Sequence, residues 1–409
     1  MSKIRILAIP SDLHGVGKFR ILSPYTYIQE NYQDDFHIDI KSSVEDDDKE
    51  FDSYDIVIFH SFIHNKSPFE KNISRIEWLK SKGIITIIDN DDYWEPDFRH
   101  PMHGQIIKSE TPRKKVQMLK LADHVTVTTP IFRDTIKSRL GLKNVQVFPN
   151  AIDETEPQYR PNPIKSDKIR FGWLGGSSHL YDLELLKNGI GTTYSASKDK
   201  VQFVLCGFDL RGTVTEIDSV TNQSKVRNIK PEETVWYQYE KIFTENYNIL
   251  DQNYKSHLQS FKEEEYDDID LPYRRRWTLP ISKYATNYNH FDVSLAPLVP
   301  TMFNSNKSQL KVIEAGFHKK VIIASETDPY TMDIINAVDN GKFNDNGNGL
   351  LVNPNRNHRD WGKQMKRIID NPNMIEDLGN RLYETVKVKY SLKKVSEDRV
   401  QFIKSIINK

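Results

Sequence analysis

The sequence predicts an α/β fold of two parallel-sheet domains, and three observations carry that prediction. Runs such as residues 4–9 (IRILAI), 55–60 (DIVIFH), 169–174 (IRFGWL) and 201–206 (VQFVLC) are apolar over most of their length. Short runs of that kind suit strands buried on both faces of a parallel sheet. Stretches with helical spacing separate them, the alternation of a sheet covered by helices. The rhythm stops over residues 154–168, which carry Pro157, Pro161 and Pro163, and then restarts, as at a linker between domains. The expected organisation is a first domain over 1–160, a second over 161–390, and a C-terminal helix over 391–409 packing back on the first.

A chain of 409 residues has room for two or three domains. Lys+Arg and Asp+Glu both number 57, so no global basic field points to nucleic acid or to an anionic membrane. Cys206 stands alone inside an apolar run, which excludes a disulfide framework and suits a reducing cytoplasm. The chain reaches a strand at once with no signal peptide before it, and no apolar run approaches the roughly 18 residues of a spanning helix. A cytoplasmic protein without stable membrane insertion is expected.

Taken in order, strand 4–9 ends in Pro10-Ser11-Asp12 and meets the loop His14 to Arg20 (HGVGKFR). Gly15 and Gly17 there let backbone approach a ligand closely, and Lys18 and Arg20 add charge for an anion. Residues 24–31 read as the following helix, and the acidic run 45–50 as a solvated loop. Strands over 55–60, 84–88, 125–128 and 145–148 alternate with helices over 74–81, 116–121 and 130–139. The strand at 84–88 ends in Asp89-Asn90-Asp91-Asp92, a candidate polar site whose plainer reading is helix capping by Asp91 or Asp92. After the linker, strand 169–174 meets Gly175-Gly176-Ser177-Ser178-His179 and a helix. Strand 201–206 follows. From about 208 to 276 aromatic and charged residues break the rhythm, and the segment reads as a helical insertion with pieces around 233–246 and 252–262. Arg274-Arg275-Arg276 inside it reads as a solvated run. A helix over 281–289, a strand over 293–296, a turn and strand over 347–352, and helices over 361–370, 374–389 and 392–407 complete the chain.

The stretch from Phe303 to Ser325 reads as loop, helix and buried strand. A loop feeding a helix N-terminus exposes free backbone N–H groups and the positive end of the helix dipole, which suits a diphosphate. Lys307 and Lys311, four apart, would add cationic charge on one helical face. Glu314 can face the same pocket, where a carboxylate could accept two hydrogen bonds from a ribose diol. The plainer reading is a surface amphipathic helix with a Lys–Glu pair.

Five stretches in order resemble the GT-B type glycosyltransferases, especially glycosyltransferase family 4. They are Gly15 to Arg20, Pro149-Asn150-Ala151-Ile152-Asp153, Gly172 to Ser177, Lys307 to Ser325, and Asn348 to Val352. The resemblance implies two Rossmann-like domains facing across a cleft, and a retaining, metal-independent hexosyl- or pentosyltransferase. It would use a nucleotide-diphosphate sugar as co-substrate, with no other cofactor. Glu314 resembles the second glutamate of the family's paired-glutamate motif, which holds the donor ribose. The first would fall at Asn306, so an amide would stand there. Lys307, Ser308 and neighbouring backbone would meet the donor sugar and diphosphate. The basic pair common after the first strand of the second domain is replaced by Gly175-Gly176-Ser177, which leaves Lys307, Lys311 and Arg20 to neutralise the diphosphate. Thr278 to Ile281 resembles the stretch whose backbone reads the nucleobase. Asp91 or Asp92 would orient the acceptor hydroxyl, near His60. The acceptor stays open: a glycan, a lipid-linked glycan, a protein, a small molecule or a modified nucleic acid.

Other readings compete. Asp89-Asn90-Asp91 has the Asp-x-Asp form that binds a divalent cation in the other large glycosyltransferase fold, but that fold has one dominant nucleotide domain. The histidines are scattered without zinc spacing. A nucleotide-sugar epimerase on the same frame, or a non-catalytic sugar- or partner-binding relative, also fits the pattern.

Overall fold

Strand β1 (Ile4–Ile9) sits inside a six-stranded parallel sheet with β2 (Phe36–Ile40), β3 (Ile56–His60), β4 (Ile85–Asn90), β5 (His124–Val127) and β6 (Val145–Val147), in the order β2-β1-β3-β4-β5-β6. The computed structural model describes residues 3–45, 47–64, 67–209, 212–217, 224–244, 271–339, 341–355 and 359–407. The second sheet contains β7 (Ile169–Leu174), β8 (Val201–Phe208), β11 (Tyr273–Trp277), β12 (Val293–Ala296), β13 (Val321–Ser325) and β16 (Leu350–Val352). Its order is β11-β8-β7-β12-β13-β16, again parallel. Two antiparallel ribbons stand apart from it: β9 (Thr213–Ile217) with β10 (Ser224–Asn228), and β14 (Val338–Asp339) with β15 (Lys342–Phe343). The predicted class, two Rossmann-like parallel-sheet domains, is what the chain adopts.

The apolar runs make the sheet cores: Ile6, Leu7, Val57 and Ile58 are fully buried in the first, as are Phe171, Phe203 and Val293 in the second. Residues 149–153 and 390–392 form a paired crossing between the domains. Ile152 donates to Tyr390 O at 2.9 Å, and Leu392 donates to Ile152 O at 2.8 Å. Beyond it the helix Leu392–Ile407 buries Val400, Ile403 and Ile406 against Ile6, Ile28 and Ile58 of the first domain.

Several local expectations give way. The helix after β1 begins at Gly15, not at residue 24, because Asp12 Oδ1 accepts from His14 N and Gly17 N and starts the turn early. Gly17 is required there, since a Cβ would lie 1.7 Å from Asp12 O. The insertion is not purely helical. It holds the β9–β10 ribbon and the helix Val235–Thr244, and it ends in sheet strand β11; the helix expected at 252–262 falls outside the described residues. Arg274 and Arg275 are therefore buried strand residues rather than a solvated run, with Arg275 paired to Glu240 at 2.6 Å. Strand β2, FHIDI, escaped detection because its polar His37 and Asp39 alternate with Phe36, Ile38 and Ile40 at the sheet edge. Residues 281–289 form a shorter tight helix, Tyr284–His290.

Candidate active site

Each sheet has a point where strand order reverses, between β1 and β3 in the first and between β7 and β12 in the second. Open α/β sheets hold ligands outside the carboxyl ends of the strands at such points. The two points look onto one cleft of about 830 Å³. The first domain lines it with His14, Gly15, Asp91, Asp92 and Asn150; the second with Gly175, Gly176, His179, Thr278 to Ile281, Lys307, Ser308, Lys311 and Glu314.

The helix Leu310–Phe317 aims the two central groups. Val312, Ile313, Ala315 and Phe317 lock it into the core. Lys311 Nζ donates to Leu174 O at the end of β7 and lies 4.8 Å from the Trp173 ring centroid. Burial, reinforced by the charge of Lys307, brings the Lys311 pKa down to about 7. Glu314 is 4% exposed, and Tyr288 donates its hydroxyl to Oε2 at 3.2 Å while Oε1 has no partner among the described residues. Burial pushes the Glu314 carboxyl up to about 8. Lys307 precedes the helix instead of sharing its face, with Nζ 4.9 Å from the Phe303 ring centroid.

Gly175 makes room for this arrangement. A Cβ there would lie 2.7 Å from Lys311 Nζ and 2.5 Å from the Trp173 ring. Gly175→Ala is expected to displace the ammonium and weaken binding of nucleotide diphosphates about tenfold, with thermal stability lowered by at most about 2 kcal/mol. Isothermal titration beside a melting curve checks it.

Across the cleft, His60 Nε2 lies 2.9 Å from Asp91 Oδ1. Burial opposes ionisation of Asp91, yet the His60 charge and hydrogen bond hold its pKa below the usual carboxylate range. Its neighbour Asp92 is raised, by burial and then by the Asp91 charge. No helix begins until His103, so neither aspartate is a helix cap. Among the described residues no group of three or more His, Cys, Asp or Glu is placed to hold a metal ion.

Arg20 touches the cleft but does not offer it a free charge. Its Nε and Nη2 donate to the two Asp89 oxygens at 2.8 and 2.7 Å, and Nη1 donates to Phe148 O and Asn150 Oδ1. The expected diphosphate contact gives way to a buried strut tying the first helix to the ends of β4 and β6. Asn306 is fully buried and donates back to Met302 O at 2.7 Å, so it does not line the cleft. Ser177 is exposed and, like Gly17, lies off the lining. Ile281 lines it, and its carbonyl accepts from Gln158 Nε2 at 3.2 Å, which anchors the 278–281 segment to the linker. Ser308 Oγ accepts from Asn150 Nδ2 at 3.0 Å and joins the two domains at the cleft floor.

Sequence reasoning passed over three contributors: Asn150 as a cross-domain contact, Tyr288 behind Glu314, and His179. Only His179 had a local signal, the spacing of His179 and Asp182 three apart at a helix start; their side chains meet at 2.7 Å.

No sequence-family model matches the chain, and no curated protein matches it in sequence. Solved structures do match in shape. Sucrose-phosphate synthase from Thermosynechococcus elongatus superposes with a TM-score of 0.64 at 12% identity, over 99% of this chain and 100% of that one. HepE from Anabaena, in complex with UDP and glucose, gives 0.60 at 10% identity over 98% and 100%. TarM gives 0.52 at 14% identity over 93% of this chain and 57% of that one. The chain thus has the GT-B fold of these glycosyltransferases, two Rossmann-like domains closing on a shared cleft.

Proposed function

We propose that the chain is a glycosyltransferase that moves a sugar from a nucleotide-diphosphate sugar to a hydroxyl acceptor. The observation that carries the reading is the convergence of half-buried Lys311 and buried Glu314, both on one helix, on the interdomain cleft. The diphosphate would lie against the Gly175–Gly176 amides, Lys307, Lys311 and the loop entering helix Leu310–Phe317. Donors aimed at the charge that develops on a leaving group are the main source of catalysis in such sites. Glu314 Oε1 would take the ribose diol, and the 278–281 backbone would meet the base. Asp91 and Asp92 stand on the opposite wall, where an acceptor hydroxyl would enter, with Asp91 oriented by His60.

Transfer with retention and without a divalent cation is part of the proposal: Lys307 and Lys311 would supply the field a metal supplies elsewhere. HepE in complex with UDP-glucose, at TM-score 0.59 and 10% identity, supports a nucleotide-sugar donor. The acceptor class stays open. Among the described residues no helix is long and apolar enough to cross a membrane.

A panel of UDP-, GDP-, ADP- and dTDP-sugars tests the reading. One or more should raise the melting temperature by ligand linkage and release its nucleotide slowly by hydrolysis, read by mass spectrometry. If none binds, the proposal fails. If a donor is converted to its epimer with no sugar released, the epimerase reading replaces it.

A further inference from the structure

We infer that His179 is a specificity residue for the transferred sugar: its Nε2 accepts a hydrogen bond from a hydroxyl of that sugar, and Asp182 positions it to do so. The inference rests on the glycosyltransferase reading of the cleft and adds a contact to it.

The geometry leaves the imidazole a single role. His179 follows the Gly175–Gly176 loop and lines the cleft. Its backbone N–H donates to Tyr239 Oη at 2.7 Å, and that hydroxyl donates to Gly176 O at 3.2 Å, so the His179 backbone and the loop are braced together. Asp182 is 4% exposed. Its Oδ1 accepts from Val299 N at 2.8 Å and Asn304 Nδ2 at 3.2 Å, while Oδ2 meets His179 Nδ1 at 2.7 Å. A carboxylate can only accept, so Nδ1 carries the proton and Nε2 is left with a lone pair. Among the described residues Nε2 has no hydrogen-bond partner, and it is not sealed from the cleft.

The neighbours keep the ring neutral. The groups facing it are Asp182 on its own helix, Lys307 and Lys311 on the same wall of the cleft, the Tyr239 hydroxyl and the edge of Trp173. Burial, then Lys307, bring its pKa down to about 4, with Lys311 acting in the same direction against Asp182. The acceptor lone pair therefore persists at neutral pH. A bare phosphate oxygen would repel it, whereas a hydroxyl is its complement. Lysines only donate, so a sugar held beside a diphosphate at Lys307 and Lys311 needs acceptors for its hydroxyl protons. His179 provides one on the same domain as those lysines.

The test measures affinity for a nucleotide sugar and for its bare nucleotide, with UDP-glucose and UDP as the first pair and GDP-, ADP- and dTDP-glucose with their nucleotides as the others. His179→Ala should weaken the sugar form about fivefold to tenfold, the size of one lost hydrogen bond, and leave the bare nucleotide within about twofold. His179→Gln, which keeps an acceptor oxygen, should recover part of the loss. Asp182→Asn keeps an oxygen for Val299 and Asn304 but turns an N–H toward Nδ1, which places the ring proton on Nε2. It should reproduce the alanine loss in a folded protein. Equal weakening of sugar and bare nucleotide would put His179 on the diphosphate and overturn the inference, as would no change in either. If the wild type binds none of the pairs, the glycosyltransferase reading itself has failed.

Discussion

Arg20→Met should destabilise the first domain by about 3–5 kcal/mol, the usual cost of stranding one partner of a buried ion pair. Arg20 is 1% exposed and Asp89 is fully buried. With the guanidinium gone, Asp89 keeps the Thr126 hydroxyl at 2.5 Å as its hydrogen-bond donor, with Arg399 as a nearby charge. The melting transition should fall by on the order of 10 °C. Acid narrows the difference. Burial opposes ionisation of Asp89, and Arg20 overcomes it, holding the pKa below the ordinary 3.8. A carboxylate depressed in the folded state stabilises above its unfolded pKa and loses that contribution as pH falls through the folded value. In the variant Asp89 is buried without that partner, so its folded pKa rises and the variant loses stability as pH climbs from about 4 toward neutrality. The gap is then widest near pH 7. Melting curves across pH check this. A variant that melts like wild type but binds nucleotide poorly would return Arg20 to the ligand.

Lys311→Met and Glu314→Ala should each lower donor turnover at least about tenfold, the effect of one lost charged hydrogen bond. The pH profiles should separate the two roles. The free Lys311 ammonium titrates at about 7, and a diphosphate favours its charged form, so affinity should fall as pH rises above about 7. Glu314 titrates at about 8, and a ribose diol favours its carboxylate, so affinity should rise as pH climbs toward about 8. Wild type should show a bell whose limbs belong to the two groups. Lys311→Met should keep only the rising limb, and Glu314→Gln only the falling one. Unchanged turnover in folded variants would remove both residues from the site.

The two sheets, their alternation with helices and the loop–helix–strand around Glu314 were legible because each is written in local apolar periodicity. Strands over 4–9, 169–174 and 293–296 and the helix over 392–407 fall where that pattern places them. Strand β11 was not legible: RRR carries no apolar period, and its burial depends on Glu240, on a helix some 35 positions away. The role of Arg20 was hidden in the same way, since Asp89 lies 69 positions on.

By itself, then, the sequence determined the architecture and the lysine–glutamate helix at its cleft, because burial of short apolar runs is decided within each run. Only the tertiary structure decided which charges are free to meet a ligand. It committed Arg20 to Asp89, turned Asn306 onto Met302, and left Lys307, Lys311, Glu314 and His179 lining the cleft. The physical reason is that a side chain's availability depends on the partners that distant segments bring to it, and a buried charge takes the nearest complement that the fold supplies.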